Sequence, residues 1–394
     1  MMKRIIFKTL VITSTALLTA GCVCKGKTTM DIKRITPLEE SRHYEDGKFI
    51  NIEDTTMANK GAVFQMLAAY LTGKEERFPK NRPPVKEIPA SFTDEKKDAG
   101  LDVTWIGHST VLIQIDGFTV LTDPNFNTRT FPVVGPKRFH ESLPVLPERL
   151  PEIDVAIISH NHYDHLDKQS VKALIPKVKY FLVPLKVGEK LLKWGVAAQN
   201  ITELDWWDSV ETLPGLTITA TPSRHFSGRG IGDSNETLWA SWVIKSQNHS
   251  VFFSGDSGYS SAFKKIGEAF GPFDITLIEC GAYSRFWSDI HMMPEESVQA
   301  HQDLKGIVMI PIHWSTFNLA IHDWFEPIER ALAESRRKGV TLATPMAGET
   351  ITYGKQLPQT AWWRQLIKRD ASSSVAAKFV NKQNSRRCFL NTEC

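Results

Sequence analysis

Between Ser159 and Lys168 the chain reads His160-Asn161-His162-Tyr163-Asp164-His165-Leu166-Asp167, three imidazoles and two carboxylates within eight residues. That spacing suits two metal ions in adjacent positions: His160 and His162 can point one way, while Asp164 and His165 turn toward a second ion. Imidazole and carboxylate together suit zinc and its neighbours in the first transition row.

Such a loop needs a rigid support, and Val155-Ala156-Ile157-Ile158 supplies one, a short apolar run that reads as a buried strand ending at Ser159. The pattern of strand followed by ligand recurs three times. Leu216-Thr217-Ile218-Thr219-Ala220-Thr221 alternates like a half-buried strand and runs into Pro222-Ser223-Arg224-His225. Val251-Phe252-Phe253-Ser254 runs into Gly255-Asp256, where glycine allows the sharp turn that aims a carboxylate inward. Ile307-Val308-Met309-Ile310-Pro311-Ile312 delivers His313. Ligands gathered at one edge of a sheet are where α/β proteins tend to place their sites. Strands alternate with helices at Lys168 to Leu174, Val187 to Trp194 and Pro294 to Leu304, which predicts a layered α/β fold. No glycine-rich phosphate loop, internal repeat or low-complexity run is present.

The order His-x-His-x-Asp-His, then His, Gly-Asp and His, resembles the metallo-β-lactamase superfamily of binuclear metal hydrolases. Trp105-Ile106-Gly107-His108-Ser109-Thr110, Leu121-Thr122-Asp123-Pro124, Gly135-Pro136-Lys137-Arg138-Phe139, Leu204-Asp205-Trp206-Trp207, Phe270-Gly271-Pro272-Phe273-Asp274 and Ile312-His313-Trp314-Ser315-Thr316-Phe317 extend the likeness to the N-acylphosphatidylethanolamine-hydrolysing phospholipase D family, over roughly Leu101 to Tyr353. The resemblance implies an αββα sandwich with the metal site between its two β-sheets. It also implies two zinc ions, one held by His160, His162 and His225, the other by Asp164, His165 and His313, with Asp256 bridging them. Asp164, Asp256 and His291 are the residues it points to for catalysis. The reaction implied is attack of a metal-bridging hydroxide on phosphorus, which releases phosphatidic acid and an alcohol such as N-acylethanolamine. His291, in Asp289-Ile290-His291-Met292-Met293-Pro294, corresponds to a family histidine near the substrate phosphate, where it could protonate the leaving alkoxide. Ile290 departs from the glutamine of the mammalian enzyme, which opens the alternative of a small soluble ester, a lactone or sugar phosphate, as substrate. Asp167 and His108 are expected to partner ligating imidazoles. His43, His140, His249, His301 and His322 show no ligand pattern.

The chain ends predict location. Met1-Met2-Lys3-Arg4, the apolar Ile5 to Leu18 and Thr19-Ala20-Gly21-Cys22 resemble a bacterial lipoprotein signal over residues 1–21. Cys22 would then carry the lipid that anchors the enzyme to a membrane surface, and the absence of aspartate after it favours the periplasmic side of the outer membrane. Residues 22–95 read as a tether and extension, within which Gly61 to Leu71 is an apolar helical stretch expected to cap the core or line a lipid entrance. The hydrolase domain is expected over 96–355, followed by a tail over 356–394 with seven basic and two acidic groups. Its Trp362-Trp363-Arg364 and Arg386-Arg387 could touch anionic headgroups. The whole chain carries +3, so the basic balance comes from the two ends. Phospholipid is the expected partner, nucleic acid is not, and a homodimer is left open. The five cysteines, Cys22, Cys24, Cys280, Cys388 and Cys394, form no CxxC and no disulfide framework, and Cys280 reads as packed.

Overall fold

The computed structural model describes residues 31–57, 62–89, 99–131 and 134–367. In the first half of the chain β1 (Lys33–Arg34), the hairpin β2 (Tyr44–Glu45) and β3 (Lys48–Phe49), and α1 (Ala62–Thr72) precede β4 (Leu101–Gly107), β5 (Thr110–Ile115), β6 (Phe118–Thr122), β7 (Ile153–Ile157), α2 (Lys168–Leu174), β8 (Val178–Pro184), α3 (Gly188–Trp194) and β9 (Ile201–Leu204). The second half holds β10 (Ser209–Leu213), β11 (Leu216–Thr221), β12 (Ser241–Lys245), β13 (Ser250–Phe253), α4 (Ala262–Phe270), β14 (Phe273–Glu279), α5 (Pro294–Asp303), β15 (Gly306–Ile312), α6 (Glu326–Lys338), β16 (Thr341–Leu342) and β17 (Thr350–Thr352).

Two large sheets result beside the two-stranded β2-β3 hairpin, one ordered β1-β9-β8-β7-β6-β5-β4-β17 and the other β10-β11-β12-β13-β14-β15-β16. Side-chain alternation along the strands decides which layer each residue joins. On β5, Val111, Ile113 and Ile115 pack between the sheets with Trp242, Ile244 and Phe253, while Leu112 faces outward to join Ile106, Leu121 and the helical residues Val171, Leu174 and Leu191. Helices α5 and α6 cover the second sheet. The layers are helix, sheet, sheet, helix, the expected αββα sandwich. Strands β6, β7 and β8 run parallel, as do β13, β14 and β15, so the loops leaving their C-terminal ends converge on one edge.

Three sequence expectations are corrected. The segment from Lys33 to Ile52 is no free tether: β1 pairs with β9, the Phe49 N–H donates to the carbonyl of Asn235, and the Phe49 ring is buried. Of the two readings of the apolar stretch at α1, capping the core and lining a lipid entrance, the first does not hold: Phe64 is 82% and Leu71 72% exposed, and Leu67 and Tyr70 are over half exposed. Trp362 and Trp363 do not face outward either. Both are buried, Trp362 stacking on Trp314 at 5.5 Å and Trp363 meeting it edge-on at 5.6 Å, while Arg364 grips Glu329 with two bonds of 2.6 and 2.7 Å. Cys22, Cys24, Cys388, Cys394, the signal and Arg386-Arg387 lie outside the described residues. Cys280 is buried and free.

Candidate metal centre

Every candidate ligand follows a strand by a few residues. The loop after β7 carries His160, His162, Asp164 and His165, that after β11 carries His225, that after β13 Asp256, and His313 leaves β15 directly. The turn at Gly255 requires glycine twice over: its φ is +54°, and an added Cβ would stand 2.5 Å from Cβ of Ser159. His313 and His108 also hold left-handed backbone, at φ 64° and 55°, conformations uncommon outside glycine that persist where surrounding structure enforces them.

The donor atoms gather into two adjoining groups. Ring nitrogens of His160, His162 and His225 lie within 4.8 Å of one another, as do atoms of His108, Asp164, His165 and His313. Asp256 stands between: its Oδ2 is 3.1 Å from His165 Nε2 and 4.0 Å from His160 Nε2, and its Oδ1 is 3.2 Å from His313 Nε2. His291 is adjacent, Nε2 4.0 Å from Asp256 Oδ2.

Outer partners aim these rings. His160 Nδ1 meets Ser159 Oγ at 2.9 Å, His165 Nδ1 meets Asp123 Oδ2 at 2.7 Å, and His225 Nδ1 donates to the carbonyl of Ile290 at 2.9 Å, so each presents Nε2 to the centre. His108 Nε2 holds Asp164 Oδ2 at 2.9 Å, so its hydrogen-bond partner is a candidate carboxylate ligand and not the imidazole expected. Asp167 does not partner an imidazole: it caps α2, accepting from the Ser170 N–H at 2.7 Å. Asp123, Asn51 and Glu279, whose Oε1 lies 3.3 Å from His291 Nδ1, escaped the sequence reading. Asp123, at the end of β6, also accepts from the Ser159 N–H, and its place before Pro124 was the available signal. Asn51 donates to the carbonyl of His225 and accepts from its N–H, a contact that no local pattern announces.

The electrostatics fit cations. Burial, then neighbouring imidazoles, push His160 and His225 well below the ordinary histidine range, and burial brings His162 down to about 4. These are neutral rings with lone pairs converging on one point. Burial opposes charge on His165 and His313 too, but the carboxylates around them outweigh it: His165 is held well above the ordinary range, with Asp256 foremost, and His313 is raised to about 9. Burial would raise Asp164 and Asp256, yet the His165 imidazole beside both keeps them well below the usual carboxylate range. Buried Asp256 Oδ1 has no well-formed hydrogen bond. Carboxylates that demand positive charge, beside neutral imidazoles that offer lone pairs, are a donor set that suits metal ions.

Over this centre opens a cavity of about 620 Å³, in the range of small-molecule sites. Its walls include Met57, Phe131, Phe226, Trp287, Ile290 and Leu319.

An αββα sandwich with histidines and aspartates collected at the edge between its sheets defines a metal-dependent hydrolase, and the chain belongs to the metallo-β-lactamase superfamily. The beta-lactamase superfamily domain matches residues 119–314. The chain is 37% identical over 262 residues to N-acyl-phosphatidylethanolamine-hydrolyzing phospholipase D 1 of Caenorhabditis elegans, covering 63% of this chain and 72% of that protein. It is 43% identical over 340 residues to an uncharacterized protein of Mycobacterium tuberculosis, 83% of this chain and 88% of the relative. A shorter match, 47% over 98 residues, is to the outer membrane protein RomA of Klebsiella pneumoniae, 25% of this chain and 74% of RomA. Among solved structures, isothiocyanate hydrolase from Delia radicum gut bacteria shares the fold with a TM-score of 0.52 at 22% identity, over 64% of this chain and 98% of that one.

Proposed function

We propose that this hydrolase is a zinc-dependent phosphodiesterase of phospholipase D type, which cleaves N-acylphosphatidylethanolamine or a related glycerophospholipid to phosphatidic acid and N-acylethanolamine. The observation that carries the reading is the apolar mouth of the cavity. Met57 and Phe131, both on its wall, are over two-fifths exposed, and Ile231, next to the lining residue Gly230, is fully exposed. From Met57 the chain leads to α1, and it leaves α1 through Glu76, whose N–H donates to Asp323, and Arg77, which lies beside Leu319 on the same rim. No residue of α1 is charged. A soluble sugar phosphate or lactone needs no such surround, whereas acyl chains do. The name of the Caenorhabditis relative supports the same substrate class.

Two bound zinc ions would supply Lewis acidity to activate water and to neutralise the phosphodiester oxygen. His160, His162 and His225 would hold one, and Asp164, His165 and His313 the other, with Asp256 shared. His291 Nε2, at the cavity wall, would face the leaving oxygen and could pass a proton to it. We also propose that a lipid on Cys22 tethers the protein to the periplasmic face of an outer membrane; no helix among the described residues is long and apolar enough to cross one.

Incubating the zinc-loaded protein with N-acylphosphatidylethanolamine vesicles and identifying products by mass spectrometry tests the reading. Phosphatidic acid with N-acylethanolamine is expected, and is absent with Asp256→Ala. Zinc-replete protein that yields no product would favour a small soluble ester, with Ile290, buried at the cavity wall, as the residue that shaped the pocket for it.

A further inference from the structure

A second, much smaller recess of about 10 Å³, room for one water-sized particle, borders His313. Four residues on its wall carry buried polar atoms without a hydrogen-bond partner: Arg77 Nη1, His313 Nδ1, Ser315 Oγ and Trp324 Nε1. His313, Ser315 and Trp324 are each only 3% exposed. Among the described residues no aspartate or glutamate lines the recess. Nε2 of His313 faces Asp256 at 3.2 Å and Asp164 at 3.5 Å, which leaves Nδ1 at the outer edge of the ring. His160, His165 and His225 each have a partner at Nδ1, and His313 has none. Ser315 stands on left-handed backbone, at φ 52°. Arg77 is brought there by a clasp between distant segments: the Glu76 N–H donates to Asp323 at 2.5 Å, and the Trp324 N–H donates to the Glu76 carbonyl at 2.9 Å. Its Nη2 donates to the carbonyl of Tyr70 at 3.3 Å and its guanidinium lies 4.0 Å from the Tyr70 ring, while Nη1 stays unpartnered.

A buried donor without an acceptor is costly, and four around one recess call for a shared acceptor. Indole and guanidinium nitrogens can only donate, a histidine that gives Nε2 to a metal carries its proton on Nδ1, and a serine hydroxyl can turn to donate. We propose that the recess binds a small inorganic anion of halide size, such as chloride, and that this anion is the outer partner of His313. A water accepts from two such donors and must then place its own two protons, whereas an anion accepts from all four and balances the guanidinium charge as well. With a negative charge at Nδ1–H the imidazole becomes a stronger ligand at Nε2, as it does beside an outer carboxylate. Anion and metal then favour each other's binding by the same factor. The role at His313 rests on that residue being a metal ligand, as read above; the anion site itself rests on the recess and its donors.

The test uses the full-length, zinc-loaded protein prepared without halide. Crystals soaked in sodium bromide should show an anomalous-scattering peak in the recess beside Arg77 and Trp324, and its absence there overturns the proposal. In solution, zinc affinity by chelator competition should be about 10-fold higher in sodium chloride than in sodium gluconate of equal ionic strength, the lower end of what an outer partner is worth to a ligand. Arg77→Met and Trp324→Phe each remove a donor, keep most of the side-chain volume and touch no candidate ligand role, and each should abolish most of that difference. Complexation of zinc by chloride in the buffer acts on all three proteins alike, so the contrast between them reads the site. The same chloride dependence in the wild type and both variants overturns the proposal. Bromide in the recess with a zinc affinity indifferent to chloride overturns it too, as an adventitious ion only. Protein that binds no zinc in either salt defeats the metal reading, while the bromide peak still decides whether the recess takes an anion.

Discussion

His165 and Asp123 meet Nδ1 to Oδ2 at 2.7 Å, both wholly buried, and the same carboxylate receives the Ser159 N–H at 2.6 Å. Asp123 therefore sets the angle of one candidate ligand and the start of the loop that carries four of them. Asp123→Asn should lower metal affinity by about 10–100-fold, the usual cost of removing an outer-shell carboxylate. Competition with a chromophoric chelator measures it, and an unchanged affinity would show that the loop is held by other contacts.

Asp256 and His291 should separate metal binding from turnover. Asp256 lies against His165 and His313 of one donor group and 4.0 Å from His160 of the other, so Asp256→Ala should lose metal and all activity together. His291→Ala should keep two metals per chain, by elemental analysis, while kcat falls about 10²–10⁴-fold. Metal loss in His291→Ala would make that residue a ligand instead.

Much of this centre was readable because each ligand sits just beyond an apolar run whose period marks a strand. Thr217, Thr219 and Thr221 alternate with Leu216, Ile218 and Ala220, and the strand occupies those residues and ends four before His225. The partners that aim the rings were not readable. Asp123, Glu279 and Asn51 come from three distant parts of the chain and meet the centre only through the sheet order, which one sequence does not encode locally. The core-capping reading of α1 failed for a different reason: an eleven-residue run without charge looks like core whenever burial is assumed, and nothing in it says which surface it faces.

That exposed helix gives a direct test of lipid contact. Phe64→Ser with Leu71→Ser removes two large apolar side chains that stand 82% and 72% exposed. If they enter a bilayer, each contributes about 1.5–3 kcal/mol, and the pair should weaken vesicle partition by about 100-fold or more. Cosedimentation reads this, alongside hydrolysis of a dispersed short-chain substrate, which should stay within about twofold because neither residue lines the cavity. Equal binding of the variant to vesicles would sink the lipid-contact reading.

Acid sensitivity should have a component outside the candidate ligands. Burial brings His140 to about 3, with both ring nitrogens unpartnered, and His301 to about 4. Each is neutral when folded and takes up its proton near pH 6.5 when unfolded. The unfolded state therefore binds more protons as pH falls, and stability, full above about 6.5, declines toward pH 4. His140→Leu should flatten the fall between pH 7.5 and 5 by about 2 kcal/mol, measured by urea unfolding at equal metal loading. An unaltered slope would mean that His140 stays uncharged in both states.

Trp363 should matter for stability although it lies only about thirty residues from the end of the chain. Its ring is fully buried against Trp314, the residue after His313, and its Nε1–H donates to Glu329 Oε1 at 2.7 Å, on a carboxylate also gripped by Arg364. Trp363→Ala opens a large cavity and removes one donor from that carboxylate, a loss of about 3–5 kcal/mol. Trp363→Phe keeps most of the volume and should cost about half as much or less. Denaturant unfolding of both variants checks the order. Since Trp314 is held only in part by Trp363, the larger deletion should loosen the turn that presents His313 and lower metal occupancy as well, whereas equal occupancy in both variants would show that Trp105 and Trp362, stacked on Trp314 at 5.8 and 5.5 Å, hold the turn without it.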